Sequence, residues 1–234
     1  CAVLDDGRAK CWGAYNFVPN GASQYPLTVD NENGSDIHSM ATVVSYSGSS
    51  CGLLDNGSVY CWGDGGVGQM GVNNTISHQA GDIVSVQGLG QPVVSISAGW
   101  NYFCAILQDR SMKCWGENGV SGKLGAGIGT NNSHLPVSVN ITGDVVSVSA
   151  GGGHTCVIML NYSMKCWGQN GEGQLGQDTG QCFGYPCSIG VNDSEIDALP
   201  EIDFGSGVKA DPGDADVDGD GFREWFDDYP DDPV

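Results

Sequence analysis

The chain has 234 residues, 38 of them glycine and ten cysteine, and its 28 acidic side chains against eight basic ones leave a formal charge of −20. Such a charge repels nucleic acid and anionic membranes, and no apolar run approaches the roughly 20 residues that cross a bilayer. Length allows a substantial core, but helix signals are few and the apolar runs are short and β-branched.

The first predicted element is a hairpin. Cys1 to Cys11 reads as strand, tight turn and strand with Asp5-Asp6-Gly7 as the loop, which sets Leu4 opposite Arg8, Val3 opposite Ala9 and Cys1 opposite Cys11. The same spacing returns at Cys51/Cys61, Cys104/Cys114 and Cys156/Cys166, each second cysteine being followed by Trp-Gly, at intervals of 50, 53 and 52 residues. Directly opposed residues hold their Cβ atoms about 4.5–5.5 Å apart, close to disulfide reach. Metal thiolates are the rival reading, but no Cys-x-x-Cys occurs and none of the four histidines has zinc-ligand spacing. The second loop, Asp55-Asn56-Gly57, supplies the glycine that a positive φ favours. Gln108-Asp109-Arg110 and Leu160-Asn161-Tyr162 lack it, which leaves their turn type open. Cys182 and Cys187 bracket a turn-like stretch and make a fifth pair.

Ahead of the later hairpins lies an alternating strand, Val93-Val94-Ser95-Ile96-Ser97-Ala98-Gly99 and Val145-Val146-Ser147-Val148-Ser149-Ala150-Gly151, with Val43 to Gly48 as a shorter relative. Behind them lies a glycine-rich turn, Gly68-Gln69-Met70-Gly71, Gly122-Lys123-Leu124-Gly125 and Gly173-Gln174-Leu175-Gly176. A last strand closes each unit, as in Leu135-Pro136-Val137-Ser138-Val139. The expectation is an all-β, β-propeller-type array of four roughly 50-residue blade repeats, each with a hairpin disulfide, followed by a calcium-loop tail. The units run about 1–42, 43–92, 93–144 and 145–210, and the acidic tail is 211–234.

Oxidised cysteines imply a secreted, extracellular or cell-surface protein. Seven Asn-x-Ser/Thr sites, at Asn33, Asn56, Asn73, Asn131, Asn140, Asn161 and Asn192, agree as glycosylation candidates. The first unit starts inside its hairpin, whereas Leu199 to Gly207 reads as the close of a unit and Val208-Lys209-Ala210 as the start of another strand. Three expectations stand side by side: a piece of a longer polypeptide, head-to-tail assembly between copies by strand completion, and a small self-closed ring.

The tail carries the sharpest chemistry. Asp216, Asp218, Asp220, Glu224 and Asp227 occupy positions 1, 3, 5, 9 and 12 of a calcium loop, with Gly221 at position 6 and the Phe222 carbonyl at position 7. Asp stands where the usual bidentate Glu would be. Asp214, Asp228, Asp231 and Asp232 are possible additional ligands. A hard cation takes six to eight oxygens, and alternating Asp on a tight turn converges them, so calcium is the expected cofactor. The alternative is a solvated acidic tail.

Strand-Ala-Gly, hairpin, Trp-Gly-x-Asn and Gly-Gln-Leu-Gly together resemble the regulator of chromosome condensation repeat family, in its cysteine-bearing secreted microbial form. The likeness covers residues 1 to about 210, strongest in the last two units and partial in the first, where Trp12-Gly13-Ala14-Tyr15 runs into unrelated sequence. The segment Asp214 to Pro233 resembles thrombospondin type 3-like calcium repeats. The first resemblance implies a propeller, usually of seven blades, and does not carry over the nucleotide-exchange activity of one nuclear branch.

Trp12, Trp62, Trp115 and Trp167 recur once per unit and are expected to pack blades. Trp100, Tyr102 and Phe103 break the repeat and are candidates for a surface contact, with packing the competing expectation. His154 aligns with Tyr102 and Ser49 and is read as structural, and no nucleophile or acid/base pair stands out, so no enzyme is expected. The functional expectation is an extracellular structural or adhesive surface protein, assembling with copies of itself into a fibre whose junctions calcium stiffens. The alternative is a secreted binding module that grips a protein or glycan through its loops, with no nucleic-acid partner and no membrane insertion.

Overall fold

A computed structural model describes residues 1–13, 23–29, 39–78, 82–127, 129, 131–177, 188–189, 195–205 and 209–210. Its strands form four antiparallel sheets. The first contains β1 (Ala2–Val3), β2 (Ala9–Gly13) and β3 (Ser23–Thr28). The second contains β4 (Met40–Tyr46), β5 (Ser49–Leu54), β6 (Val59–Gly63) and β7 (Val84–Ser85) in that order. The third contains β8 (Val93–Gly99), β9 (Tyr102–Leu107), β10 (Met112–Gly116) and β11 (Ser133–Ser138). The fourth contains β12 (Val145–Ala150), β13 (His154–Met159), β14 (Met164–Gln169) and β15 (Ser188–Ile189), followed by a single helical turn, α1 (Glu195–Ala198). The second sheet begins at Met40, so it takes in the end of the first predicted unit.

Each sheet is a blade, and the core lies between blades rather than within them. Cys51, Leu53, Cys61 and Met70 of the second blade pack against Ile96, Phe103, Ala105 and Trp115 of the third. Cys104, Ile106, Cys114 and Leu124 of the third pack against Val145, Val157, Met159 and Trp167 of the fourth. A short strand offers only alternate side chains to one face, so a lone blade would expose half its apolar residues. Stacking covers them, and burying a Leu- or Phe-sized side chain contributes about 1.5–3 kcal/mol.

The four hairpins have one geometry. Cys51 pairs with Cys61, Cys104 with Cys114 and Cys156 with Cys166 in register, and Val3↔Ala9 carries the first hairpin to Cys1 and Cys11. All four of these pairs are disulfides, with Cα atoms 4.0–4.1 Å apart. Cys182 and Cys187 lie outside the described residues. The open question of the third and fourth turns is answered by φ: Arg110 (64°) and Tyr162 (65°) take the left-handed position of Gly7 (75°) and Gly57 (79°). Backbone bonds repeat too, as in Gly57 N to Leu54 O (2.9 Å) and Arg110 N to Leu107 O (2.9 Å). A side-chain acceptor three residues before the second strand steadies every loop: Asp6, Asn56, Asp109 and Asn161 accept from the N–H of Arg8, Ser58, Ser111 and Ser163.

A ladder of single backbone bonds joins blade to blade. The left-handed residue of each hairpin accepts from the start of the next inner strand: Gly7 from Met40 (2.9 Å), Gly57 from Val93 (2.9 Å), Arg110 from Val145 (3.1 Å) and Tyr162 from Ala210 (3.3 Å). Ile202 N donates to Met164 O (2.9 Å) as Val86 N does to Val59 O and Val139 N to Met112 O. Residues 199–205 thus close the fourth blade, and Ala210 stands where a further inner strand would start.

Three tryptophans behave as expected and one does not. Trp62, Trp115 and Trp167 are fully buried, whereas Trp12 is 44% exposed. The reason is the socket. Trp115 Nε1 donates to Gln69 O (3.0 Å) and Trp167 Nε1 to Lys123 O (3.1 Å), so each indole seats on the glycine-rich turn of the blade before it. No such turn stands beside Trp12 among the described residues. Trp62 Nε1 is buried without an acceptor among the described residues, and the first unit lacks the Gly-x-x-Gly sequence that supplies one elsewhere.

Candidate functional site

The residues that break the repeat gather at one edge of the third and fourth blades. In the second, third and fourth blades the residue after the inner turn pairs with the glycine of Trp-Gly: Ser49 with Gly63, Tyr102 with Gly116, His154 with Gly168. That register makes the three positions equivalent, as their alignment implied. Tyr102 fills its place with a ring that is fully buried, and its hydroxyl meets the carbonyl of His154 (2.6 Å) and Thr155 Oγ1 (2.8 Å) across the blade junction. Thr155 Oγ1 donates in turn to Lys123 O (2.8 Å). Burial pushes the Tyr102 phenol well above its ordinary range, so the hydroxyl stays a donor. Phe103 is also fully buried and stacks on Trp115. Of the three candidate surface aromatics only Trp100 reaches solvent, at 55% exposure.

Lys123 holds Trp100 in place. It stands where the neighbouring turns have Gln69 and Gln174, whose side-chain carbonyls accept from local N–H groups of Val67 and Glu172. Lys123 instead reaches across the cleft: Nζ donates to Trp100 O (2.8 Å) and to Glu117 Oε2 (3.0 Å), and lies 5.0 Å from the Tyr102 ring centre. The side chain is 6% exposed, against 34% for Glu117. Burial lowers the Lys123 pKa, and the Glu117 carboxylate offsets part of that. Trp100 N donates to Gly151 O (3.2 Å), so the backbone of this residue is tied on both sides while its indole stays free.

Around that indole is a cleft of about 430 Å³. Trp100, Asn101, Glu117, Gly152, Gln169 and Ser188 contribute to its lining. Asn101 holds a φ of 59°, a conformation asparagine tolerates. Sequence reasoning singled out Trp100 but passed over Lys123; its signal was Lys in a position otherwise held by Gln. His154 is half-buried, and desolvation lowers its pKa, in keeping with a structural role.

Of the glycosylation candidates, Asn56, Asn73, Asn131, Asn140 and Asn161 are exposed. Asn33 and Asn192 lie outside the described residues, as do all of the calcium ligands from Asp214 to Asp232. Among the described residues no group of three His, Cys, Asp or Glu side chains could hold a metal ion, and no helix is long and apolar enough to cross a membrane.

The repeated sockets and hairpins have counterparts in known proteins. The family described as regulator of chromosome condensation (RCC1) repeat matches residues 41–69, 93–121 and 145–174, and a second description of the same repeat matches 56–106 and 114–158. The chain belongs to the RCC1 repeat family. Among curated relatives, the Ultraviolet-B receptor UVR8 of Arabidopsis thaliana is 28% identical over 75% of this chain and 40% of its own length. The human E3 ubiquitin-protein ligase HERC2 is 29% identical over 86% of this chain and 4% of its own. This RCC1-repeat chain therefore spans less than half the length of these relatives. Among solved structures, human WBSCR16 superposes with a TM-score of 0.66 at 16% identity, over 90% of this chain and 50% of the other. Yeast Prp20p, in a structure titled for its binding properties to Gsp1p and histones, superposes with a TM-score of 0.60 at 16% identity, over 76% and 45%. At such identities the likeness is one of fold. The described blades are an RCC1-like β-propeller domain.

Proposed function

We propose that this RCC1-like domain works outside the cell as a disulfide-stapled surface module that adheres to partners through its loop edges. The observation that carries the proposal is one disulfide in the hairpin of every described blade. Such bonds persist in oxidising compartments, and a loop of this size contributes about 2–3 kcal/mol. Exposure of all five described sequon asparagines supports the same location. Calcium would order the acidic tail, which otherwise repels itself. The test is labelling of intact source cells with a membrane-impermeant amine reagent, with thiol trapping of the recovered chain. Labelled, fully oxidised protein is expected; a reduced chain reached only after lysis would sink the proposal.

A second reading, self-assembly by strand completion into a fibre, draws on the Ala210 N to Tyr162 O bond, which opens the place of a further inner strand beside the fourth blade. A strand starting there would complete the three-stranded first blade of a neighbouring copy. Light scattering of native material in millimolar calcium, and again after chelation, separates the cases. Polymers that dissolve on chelation place calcium at the joint, polymers indifferent to it leave strand exchange alone, and a monomer in both states removes the fibre.

A further inference from the structure

We infer that the Trp100 cleft is a carbohydrate subsite that takes an uncharged hexopyranose unit of a glycan, with the indole as its stacking platform. The inference rests on the reading that the chain is a binding module, and it names a ligand class and a site for it. Trp100 shows 55% of its surface while Tyr102 and Phe103 beside it show none. Its exposure is not slack packing, because Gly151 O holds its N–H and Lys123 Nζ holds its carbonyl. A large aromatic side chain on a tied backbone loses little conformational freedom when a ligand covers it.

The lining decides the ligand class. A pyranose offers one apolar face of C–H groups and a rim of hydroxyls that donate and accept. The cleft that the indole lines is also lined by the Gln169 amide, the Ser188 hydroxyl, Asn101, whose amide donates to Glu117 Oε2, and the Glu117 carboxylate, a mixture of donors and acceptors that matches such a rim. The floor is bare: nothing lies within 4 Å of where a side chain on Gly152 would begin. A volume of about 430 Å³ falls within the range of small-ligand sites, roughly 300–1,000 Å³.

Charge narrows the class further. Glu117 is already neutralised by Lys123 at 3.0 Å, so the cleft has no net charge to draw in a basic peptide side chain. The overall charge of −20 disfavours sialylated or sulfated sugars. What remains favoured is a neutral hexose.

The test uses the full oxidised chain on a printed array of neutral, sialylated and sulfated oligosaccharides, followed by calorimetric titration of the strongest neutral binder. Neutral oligosaccharides are expected to bind. Trp100→Ala should weaken that binding by about tenfold or more, and Gln169→Ala severalfold. Trp12→Ala, which removes another exposed indole, should leave it unchanged, and the melting temperature of Trp100→Ala should match the parent. A blank array, a preference for anionic glycans, or full affinity in Trp100→Ala overturns the inference. If the array is blank and a surface protein binds in a Trp100-dependent way, the sugar assignment falls while the module reading stands. If neither glycan nor protein binds, both fall.

Discussion

The junction between the second and third blades and that between the third and fourth are built from the same parts and filled differently. Each seats a buried tryptophan on a glycine-rich turn and puts a disulfide into the interface. At the earlier junction the turn residue Gln69 bonds locally through its carbonyl, and its buried Nε2 has no partner among the described residues. At the later one Lys123 satisfies Trp100 O and Glu117 together, and the Tyr102 hydroxyl ties the blades through Thr155. The contrast teaches that a repeat can keep its packing and still turn one junction into a site, by replacing a local hydrogen bond with one that crosses a loop.

The largest effect should come from the tryptophan seats. A Cβ at Gly125 would stand 2.6 Å from Trp167 Nε1 and 2.8 Å from its Cε2 at a φ of +65°, whereas at Gly71 (φ +69°) it would meet the Val86 methyl Cγ1 at 2.8 Å and stand 3.1 Å from Trp115 Nε1. Gly125→Ala is expected to cost about 3–4 kcal/mol in urea melts, and Gly71→Ala less. Equal losses would mean the later junction is not the tighter one. Next come the disulfides. Replacing Cys104 and Cys114 together with Ala should cost about 2–3 kcal/mol, and the Cys51/Cys61 pair should cost the same, since both close the same loop length.

Tyr102→Phe removes the hydroxyl that links the later junction and should cost about 1–2 kcal/mol by thermal or chemical unfolding. No loss would show the polar link to be incidental. The hairpins give a smaller, signed effect. Arg110→Gly relieves a left-handed residue and should gain up to about 1 kcal/mol, whereas Gly57→Ala must lose stability because its Cβ would meet Pro92 at 2.5 Å.

The smallest effect is in acid. Thr142 donates its hydroxyl and N–H to Asp197 and holds that carboxyl below its ordinary value of 3.8. Ser111, through its hydroxyl and N–H, does the same to Asp109, which also accepts from Gln91 at the earlier junction. A depressed folded-state pKa contributes stability that is present above the unfolded value and is lost as pH falls through the folded one. Melting temperature should therefore drop more steeply below about pH 3.8 in the parent than in Asp197→Asn.

Much of the hairpin was legible because its signals are local. Ten-residue cysteine spacing sets the register, and Gly7 and Gly57 announce the turn. The same turn at Arg110 and Tyr162 was not legible, since neither residue favours a positive φ and inter-blade bonds to their carbonyls help to hold it. Trp100, Tyr102 and Phe103 stand almost side by side in sequence, yet one is exposed and two are buried, and only the blade next door decides which. Lys123 bonds a carbonyl 23 residues away, a reach that no spacing rule could have named.

By itself the sequence determined the repeat, the register of each cysteine hairpin, the partners of the four hairpin cysteine pairs and the edge residues that depart from consensus, because each depends on neighbours within about a dozen residues. Tertiary structure alone decided which indoles are seated, why Trp12 is not, and that Trp100, Glu117, Lys123 and Gln169 share one cleft. The physical reason is that a blade buries its faces only against the next one, so what is core and what is surface is settled between repeats.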